Sequence, residues 1–164
     1  MWGFQFMPEL SDISADAPTC VVYIDTMSPM YKAGFLRSKQ DYTLNSNAVE
    51  KLIVFAKEYH IVVIFADWCG DARKAVPVLS LIEEATDMEI VALGGMTKPP
   101  YGSDKFWAVP PSPVEVDIFG ITSSPTVLIF NSEGTEIGRI KTRPKMEPTL
   151  EQEIVKIIED SQGS

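Results

Sequence analysis

The chain has 164 residues, a length that fits one domain or one domain with an added terminal segment. Hydrophobic residues make up 45% of it and charged residues 23%, which excludes a disordered chain. Because 23 Asp and Glu residues outnumber 14 Lys and Arg residues, the net charge is −9, which argues against a nucleic-acid partner. The longest apolar run, Ile61–Ala66, is far shorter than the about 20 residues that cross a bilayer, so no membrane partner is expected.

The cysteine content favours a reducing compartment. Cys20 and Cys69 are too few for a disulfide framework, and residues 1–18 lack the basic start of a secretion signal. We therefore expect a cytoplasmic protein. With a single histidine, His60, and two distant cysteines, no metal-ligand spacing is present, and we expect no metal or organic cofactor.

The first forty residues are broken up by prolines and predict an N-terminal extension, residues 1–40, ahead of a main domain, residues 41–164. Within the extension, Cys20–Asp25 is an apolar run that predicts one short buried strand. Residues 28–43 predict a short helix or a loop.

Alternating elements follow from residue 45 onward. Asn47 and Glu50 have the spacing of a helix start, and Ala48, Leu52 and Phe55 lie on one face of that helix. The remaining patterns predict a buried strand at Ile61–Ala66, a helix spanning Ala72–Ile82 that contains Pro77, and a strand at Glu89–Leu93. Strands that alternate with helices predict an α/β fold with parallel strands, a central sheet and helices on both faces.

A proline-rich loop is predicted at about residues 94–113. It contains five prolines together with Tyr101, Phe106 and Trp107, and loops of this length in a compact domain are usually functional or mobile. The patterns after it predict a helical turn at Val114–Gly120, a hairpin of Thr126–Phe130 with Thr135–Ile140, and a last helix that begins near Thr149.

The segment Trp68-Cys69-Gly70-Asp71 carries the strongest chemical signal. It joins the end of a buried strand to the start of a helix, and a cysteine at a helix N-terminus faces free backbone N–H groups and the positive end of the dipole. Both favour the thiolate, which is the reactive form of cysteine.

At this point the sequence resembles the thioredoxin superfamily. Trp68-Cys69-Gly70-Asp71 is similar to the start of its Trp-Cys-x-x-Cys motif, and Pro77 lies where that family has a helix-kinking proline. The segment Phe119–Thr126 resembles the family's cis-proline loop, which implies a cis Ser124–Pro125 bond beside Cys69. The resemblance covers roughly residues 45–160 and implies a thioredoxin-like three-layer α/β/α sandwich with a central mixed sheet.

The sequence departs from that family at two positions. Ala72 occupies the place of the second, resolving cysteine, and Val63 occupies the place of a buried acid six residues before the first cysteine. Without a resolving thiol, Cys69 cannot release a mixed disulfide by itself. The sequence leaves two explanations for Ala72 open: the protein has a natural monothiol motif, or a cysteine was deliberately replaced by alanine.

Three functional hypotheses follow. The first is a thiol–disulfide oxidoreductase of monothiol type, in which Cys69 attacks a protein or low-molecular-weight disulfide and an external thiol releases it. The resemblance implies substrate contacts at Trp68, Gly70, Asp71, Ser124 and Pro125, and the loop adds Phe106 and Trp107 as one wall. The second is a non-catalytic interaction domain that uses the same groove. The third is a glutaredoxin-like protein that shares an iron–sulfur cluster across a dimer.

Overall fold

The computed structural model describes residues 7–163. A 3₁₀ turn at Leu10–Asp12 precedes ten regular elements. In chain order these are α1 (Cys20–Thr26), α2 (Pro29–Asp41), α3 (Ser46–Phe55), β1 (His60–Ile64), α4 (Gly70–Thr86), β2 (Ile90–Leu93), α5 (Glu115–Ile118), β3 (Thr126–Phe130), β4 (Glu136–Lys141) and α6 (Leu150–Gln162).

The four strands form one mixed sheet with the order β2-β1-β3-β4. β1 and β2 are parallel, as the alternation of strands and helices predicts. In this pair Ile61 lies opposite Ile90. β3 is antiparallel to β1 and to β4, so the predicted closing hairpin is confirmed. β1 and β3 are central and are buried on both faces, which explains their continuous apolar runs.

Two apolar cores lie on opposite faces of the sheet. On one face, Ile61 and Val63 pack in a core that includes buried side chains from α1, α2, α3, α4 and α6. On the other face, Val62 and Ile64 pack in a core completed by α5, the segment before α1 and the proline-rich loop. The predicted α/β/α class is therefore confirmed, with unequal layers, because one face carries the long helices and the other mainly loops.

The predicted strand at Cys20–Asp25 is wrong, because this segment forms the helix α1. Thr19 caps it, since its hydroxyl accepts a hydrogen bond from the Val22 N–H at 3.4 Å. Cys20 and Ile24 are buried one turn apart while Val22 is exposed, which is a helical pattern of burial. The extension instead meets the sheet through an isolated bridge, in which the Ala92 N–H donates to the Pro18 carbonyl at 2.8 Å.

The predicted helix start at Asn47 is also wrong by two residues. The Asn45 side chain caps α3 by accepting a hydrogen bond from the Ala48 N–H at 2.9 Å, so the helix begins at Ser46. The segment 28–43, for which a helix and a loop were both open, forms the 13-residue helix α2, with Ser28 as its cap and Pro29 in its first position. The domain boundary near residue 40 stays a prediction.

Gly94, directly after β2, leaves room for a partly buried polar pair. The Tyr23 hydroxyl donates to both carboxylate oxygens of Asp67, at 2.7 and 2.8 Å. Burial and this bond raise the pKa of Tyr23, so the phenol remains a donor. A Cβ at Gly94 would overlap the Tyr23 hydroxyl and lie 2.7 Å from an Asp67 oxygen.

We therefore expect Gly94→Ala to lower the free energy of unfolding by about 2 kcal/mol, because the methyl group forces the Tyr23–Asp67 pair apart. Urea denaturation followed by circular dichroism measures this change. Gly70→Ala is the matched control, since a Cβ there meets nothing closer than 3.9 Å. Equal stabilities of the two variants would contradict the prediction.

Candidate functional site

Cys69 occupies the N-cap position of α4, as the sequence predicts. Its N–H donates to the Ala66 carbonyl at 3.1 Å, and its own carbonyl accepts from the Arg73 N–H at 3.1 Å. The side chain is partly exposed and touches the edge of both apolar cores. The predictions of a helix start and of an accessible thiol are confirmed.

Ser124 and Pro125 lie directly against the thiol. The Cys69 Sγ donates to the Ser124 carbonyl at 3.5 Å, and the Ser124–Pro125 bond is cis, as the resemblance implies. The Ser124 hydroxyl accepts a hydrogen bond from the Ala66 N–H at 2.8 Å. The Ser124 side chain therefore holds the end of β1, and its backbone faces Cys69.

Trp68 and Trp107 form an aromatic pair beside Cys69. Their ring centroids lie 6.2 Å apart with a tilt of 31°, and the Trp107 indole donates to the Thr122 carbonyl at 3.2 Å. The Lys98 ammonium lies 5.0 Å from the Trp68 ring, a cation–π distance. The loop therefore reaches the rim of the thiol site through Trp107. The sequence analysis did not single out Lys98, because its contact with the Trp68 ring depends on the tertiary structure.

The other two loop aromatics do not join this pair. The Phe106 side chain is 70% exposed and Tyr101 is fully exposed. Within residues 7–163, neither ring stacks on another aromatic ring. The structure thus brings Trp107 to Trp68, and the substrate role predicted for Phe106 stays a prediction.

The start of α4 also contacts a distant arginine that the sequence analysis missed. Arg143 Nη2 lies 3.3 Å from Asp71 Oδ1, across 72 residues of chain. Gly70 between Cys69 and Asp71 is exposed. Local spacing carries no signal for a pair of this sequence separation, so only the tertiary structure shows it. The ion pair is largely exposed and contributes little to stability.

The structure holds no resolving thiol near Cys69. Both cysteines are free, and Cys20 is fully buried in the core on the helical face. Burial raises the pKa of the Cys20 thiol well above its ordinary value, which keeps it protonated and unreactive. Ala72 is also fully buried. Cys69 is therefore the accessible thiol of the described chain.

The described residues hold no cluster of three or more metal-ligating side chains. Over the same part of the chain, none of the helices has the length and apolar character needed to cross a bilayer.

Comparisons with known proteins agree with this architecture. A family model described as Thioredoxin matches residues 17–93. A protein of unknown function from Pseudomonas aeruginosa has a similar structure, with a TM-score of 0.71 and 15% identity over 94% of this chain and 99% of its own. An HIV epitope scaffold has a TM-score of 0.65 and 14% identity over 88% of this chain and 94% of its own. No curated protein matches the sequence. Fold and site together define a thioredoxin-fold protein.

Ser124→Ala should destabilise the protein by about 1–3 kcal/mol, because the buried Ala66 N–H loses its acceptor. Chemical denaturation measures the change. Thr122→Ala, at an exposed position two residues earlier, is the control and should change stability by less than about 0.5 kcal/mol. An unchanged stability in Ser124→Ala would show that this hydrogen bond does not hold the loop to β1.

Proposed function

We propose that the protein is a monothiol thiol–disulfide oxidoreductase that acts through Cys69. The observation that carries this proposal is the placement of a partly exposed thiol at the N-cap of α4, directly against Ser124–Pro125. Three free backbone N–H groups in the first turn of that helix attract a negative sulfur. A cysteine that only packs in the core would not need to be partly exposed at the start of a helix.

The chemistry is a two-step exchange. The Cys69 thiolate attacks one sulfur of a substrate disulfide, a new S–S bond to Cys69 forms, and the old S–S bond breaks. The second substrate sulfur leaves as a thiolate and takes a proton from water. An external thiol, as its thiolate, then attacks the substrate sulfur of the mixed disulfide, so that an S–S bond between these two sulfurs forms, the bond to Cys69 breaks, and Cys69 leaves as a thiolate. The electrons that reduce the substrate come from external thiol, which a reducing compartment such as the cytoplasm supplies.

The residues around the thiol support binding of an extended substrate. Trp68 and Trp107 offer apolar ring surface on one side, and Ser124 with Pro125 offers backbone on the other. Asp71 and the exposed Gly70 form the rim at the start of α4. The substrate is a protein or low-molecular-weight disulfide, and Phe106 extends the aromatic wall.

A non-catalytic interaction domain is the second candidate, and one observation favours it. Three large aromatic side chains are exposed to solvent, namely Trp68 beside Cys69 and Tyr101 and Phe106 in the proline-rich loop. Exposed aromatic residues are common at protein interfaces. Thiol reactivity separates the two candidates, because a binding domain needs no reactive Cys69.

We expect Cys69 to form a mixed disulfide with hydroxyethyl disulfide at neutral pH at least about tenfold faster than a free cysteine peptide. Intact-mass spectrometry over time gives the rate, and added thiol should reverse the adduct. Cys69→Ser should form no adduct in the folded state. Cys20→Ser is the control and should react as the parent does, because Cys20 is buried. A rate equal to that of the peptide would instead support the interaction domain.

Ala72→Cys should create a dithiol site, because positions 69 and 72 lie about one helical turn apart at the start of α4, within disulfide range. Oxidation should then remove two hydrogens from the mass and protect Cys69 from alkylation. Ala75→Cys is the matched control, since about 1.7 turns of helix separate it from Cys69. An Ala72→Cys variant that folds yet never forms this disulfide would contradict the proposed orientation of the Cys69 thiol.

A further inference from the structure

A cavity of about 460 Å³ lies beside Pro125. It opens between α4, the C-terminal end of α2 and the turn that joins β4 to α6. Pro125 and Asp71 line it, whereas Cys69 does not. Its volume falls in the range of pockets that hold small molecules, about 300–1,000 Å³.

Part of the lining of this cavity is apolar. Beside polar residues, its lining includes apolar side chains from four elements, which are Val78 of α4, Val127 of β3, Ile140 of β4 and Leu150 of α6. All four are buried in the core on the helical face. The cavity therefore has a rigid apolar floor that favours an apolar group of a ligand.

Charges of both signs stand at the rim. Lys74 of α4 and Arg143 of the turn after β4 line it with positive charge, and Asp41 of α2 and Asp71 of α4 line it with negative charge. Among residues 7–163, Lys74 and Asp41 form no ion pair, while Arg143 reaches Asp71 through Nη2 alone. α2 ends at Asp41, where a helix presents its negative end, and α6 begins at Leu150 with its positive end. The rim is thus dipolar.

A strained turn holds Arg143 at this rim. Thr142 has a φ of 69°, an uncommon conformation for a β-branched residue. Its N–H donates to the Pro125 carbonyl at 2.7 Å, and the Lys145 ammonium donates to the Lys141 and Arg143 carbonyls at 2.6 and 3.2 Å. Strain of this kind collects at binding sites, where surrounding contacts sustain it.

We propose that this cavity binds a short zwitterionic peptide with apolar side chains. The peptide's ammonium group lies against Asp41 and the C-terminal end of α2, and its carboxylate lies against Lys74 and Arg143. Its side chains fill the floor formed by Val78, Val127 and the neighbouring apolar residues. Cys69 does not line the cavity, but Pro125 and Asp71 line it and also belong to the proposed substrate groove, so the two sites adjoin each other.

Isothermal titration of the full chain with the dipeptide Leu-Phe tests this proposal. N-acetyl-Leu-Phe lacks the ammonium charge, and Leu-Phe amide lacks the carboxylate, so each should bind about tenfold more weakly. Gly-Gly keeps both charges but lacks the apolar side chains, and it should show no measurable binding. Equal affinities for all four compounds, or no binding of Leu-Phe, would overturn the proposal.

Variants connect each ligand group to its partner. Asp41→Asn should weaken Leu-Phe binding about fivefold and leave N-acetyl-Leu-Phe unaffected. Lys74→Met should weaken Leu-Phe in the same way and leave the amide unaffected. Lys57→Met and Asp104→Asn change exposed charges outside the cavity and are the matched controls. If the controls weaken binding as much as the rim variants, the effect is one of net charge and the proposal is wrong.

Two further variants locate the ligand. Ala75→Leu places a larger side chain in the cavity and should abolish binding, with circular dichroism confirming that the variant is folded. Cys69→Ser should bind Leu-Phe as the parent does. Loss of binding in Cys69→Ser would place the peptide in the thiol groove and overturn the separate site, whereas loss of thiol reactivity alone leaves this site intact.

Discussion

The antiparallel pairing of β1 with β3 is the interaction on which the thiol site depends. Its register sets Ile64 opposite Thr126, so the chain leaving β1 runs beside the chain entering β3. Ser124 completes this junction, because its hydroxyl binds the Ala66 N–H while its carbonyl faces the Cys69 sulfur. A shift of one residue in this register would turn every side chain of β3 to the opposite face and remove the thiol from its backbone partner.

Buried carboxylates attach the loops to this frame. Glu151 is fully buried and accepts the Asn45 N–H at 2.8 Å together with the Tyr42 hydroxyl. Glu153 accepts the N–H groups of residues 145–147, and Glu115 accepts the Ser14 N–H at 2.8 Å. Part of the negative charge of the chain is therefore structural, since each carboxylate satisfies backbone donors of a neighbouring loop.

The thiol site and the cavity adjoin each other and share Pro125 and Asp71. The Cys69 thiol contacts the Ser124 carbonyl, which precedes Pro125 in the chain. On the thiol side, Trp68 and Trp107 give an aromatic rim, and on the cavity side, Arg143 and Asp41 give a charged rim. The same short segment before β3 can thus present two surfaces of different chemistry.

Much of the frame was predictable from local sequence. The apolar runs of β1 and β3 are long enough to indicate buried strands, and the Cys69 N-cap follows from a strand that ends just before a helical pattern. The position and cis form of Pro125 came from resemblance to a family, since an X-Pro bond is cis in only about 5–6% of cases.

Tertiary contacts determine the features of the fold and of the site that the local sequence does not predict. Cys20–Thr26 is rich in residues that favour strands, yet it is helical because the Thr19 cap and the burial of Cys20 and Ile24 outweigh weak local preference. Arg143 meets Asp71, and Lys98 meets the Trp68 ring, across separations that leave no periodic signal. The sequence by itself determined the order of the later elements and the accessible thiol. The folded chain alone decided which distant charges and rings surround that thiol, because such contacts depend on packing between elements.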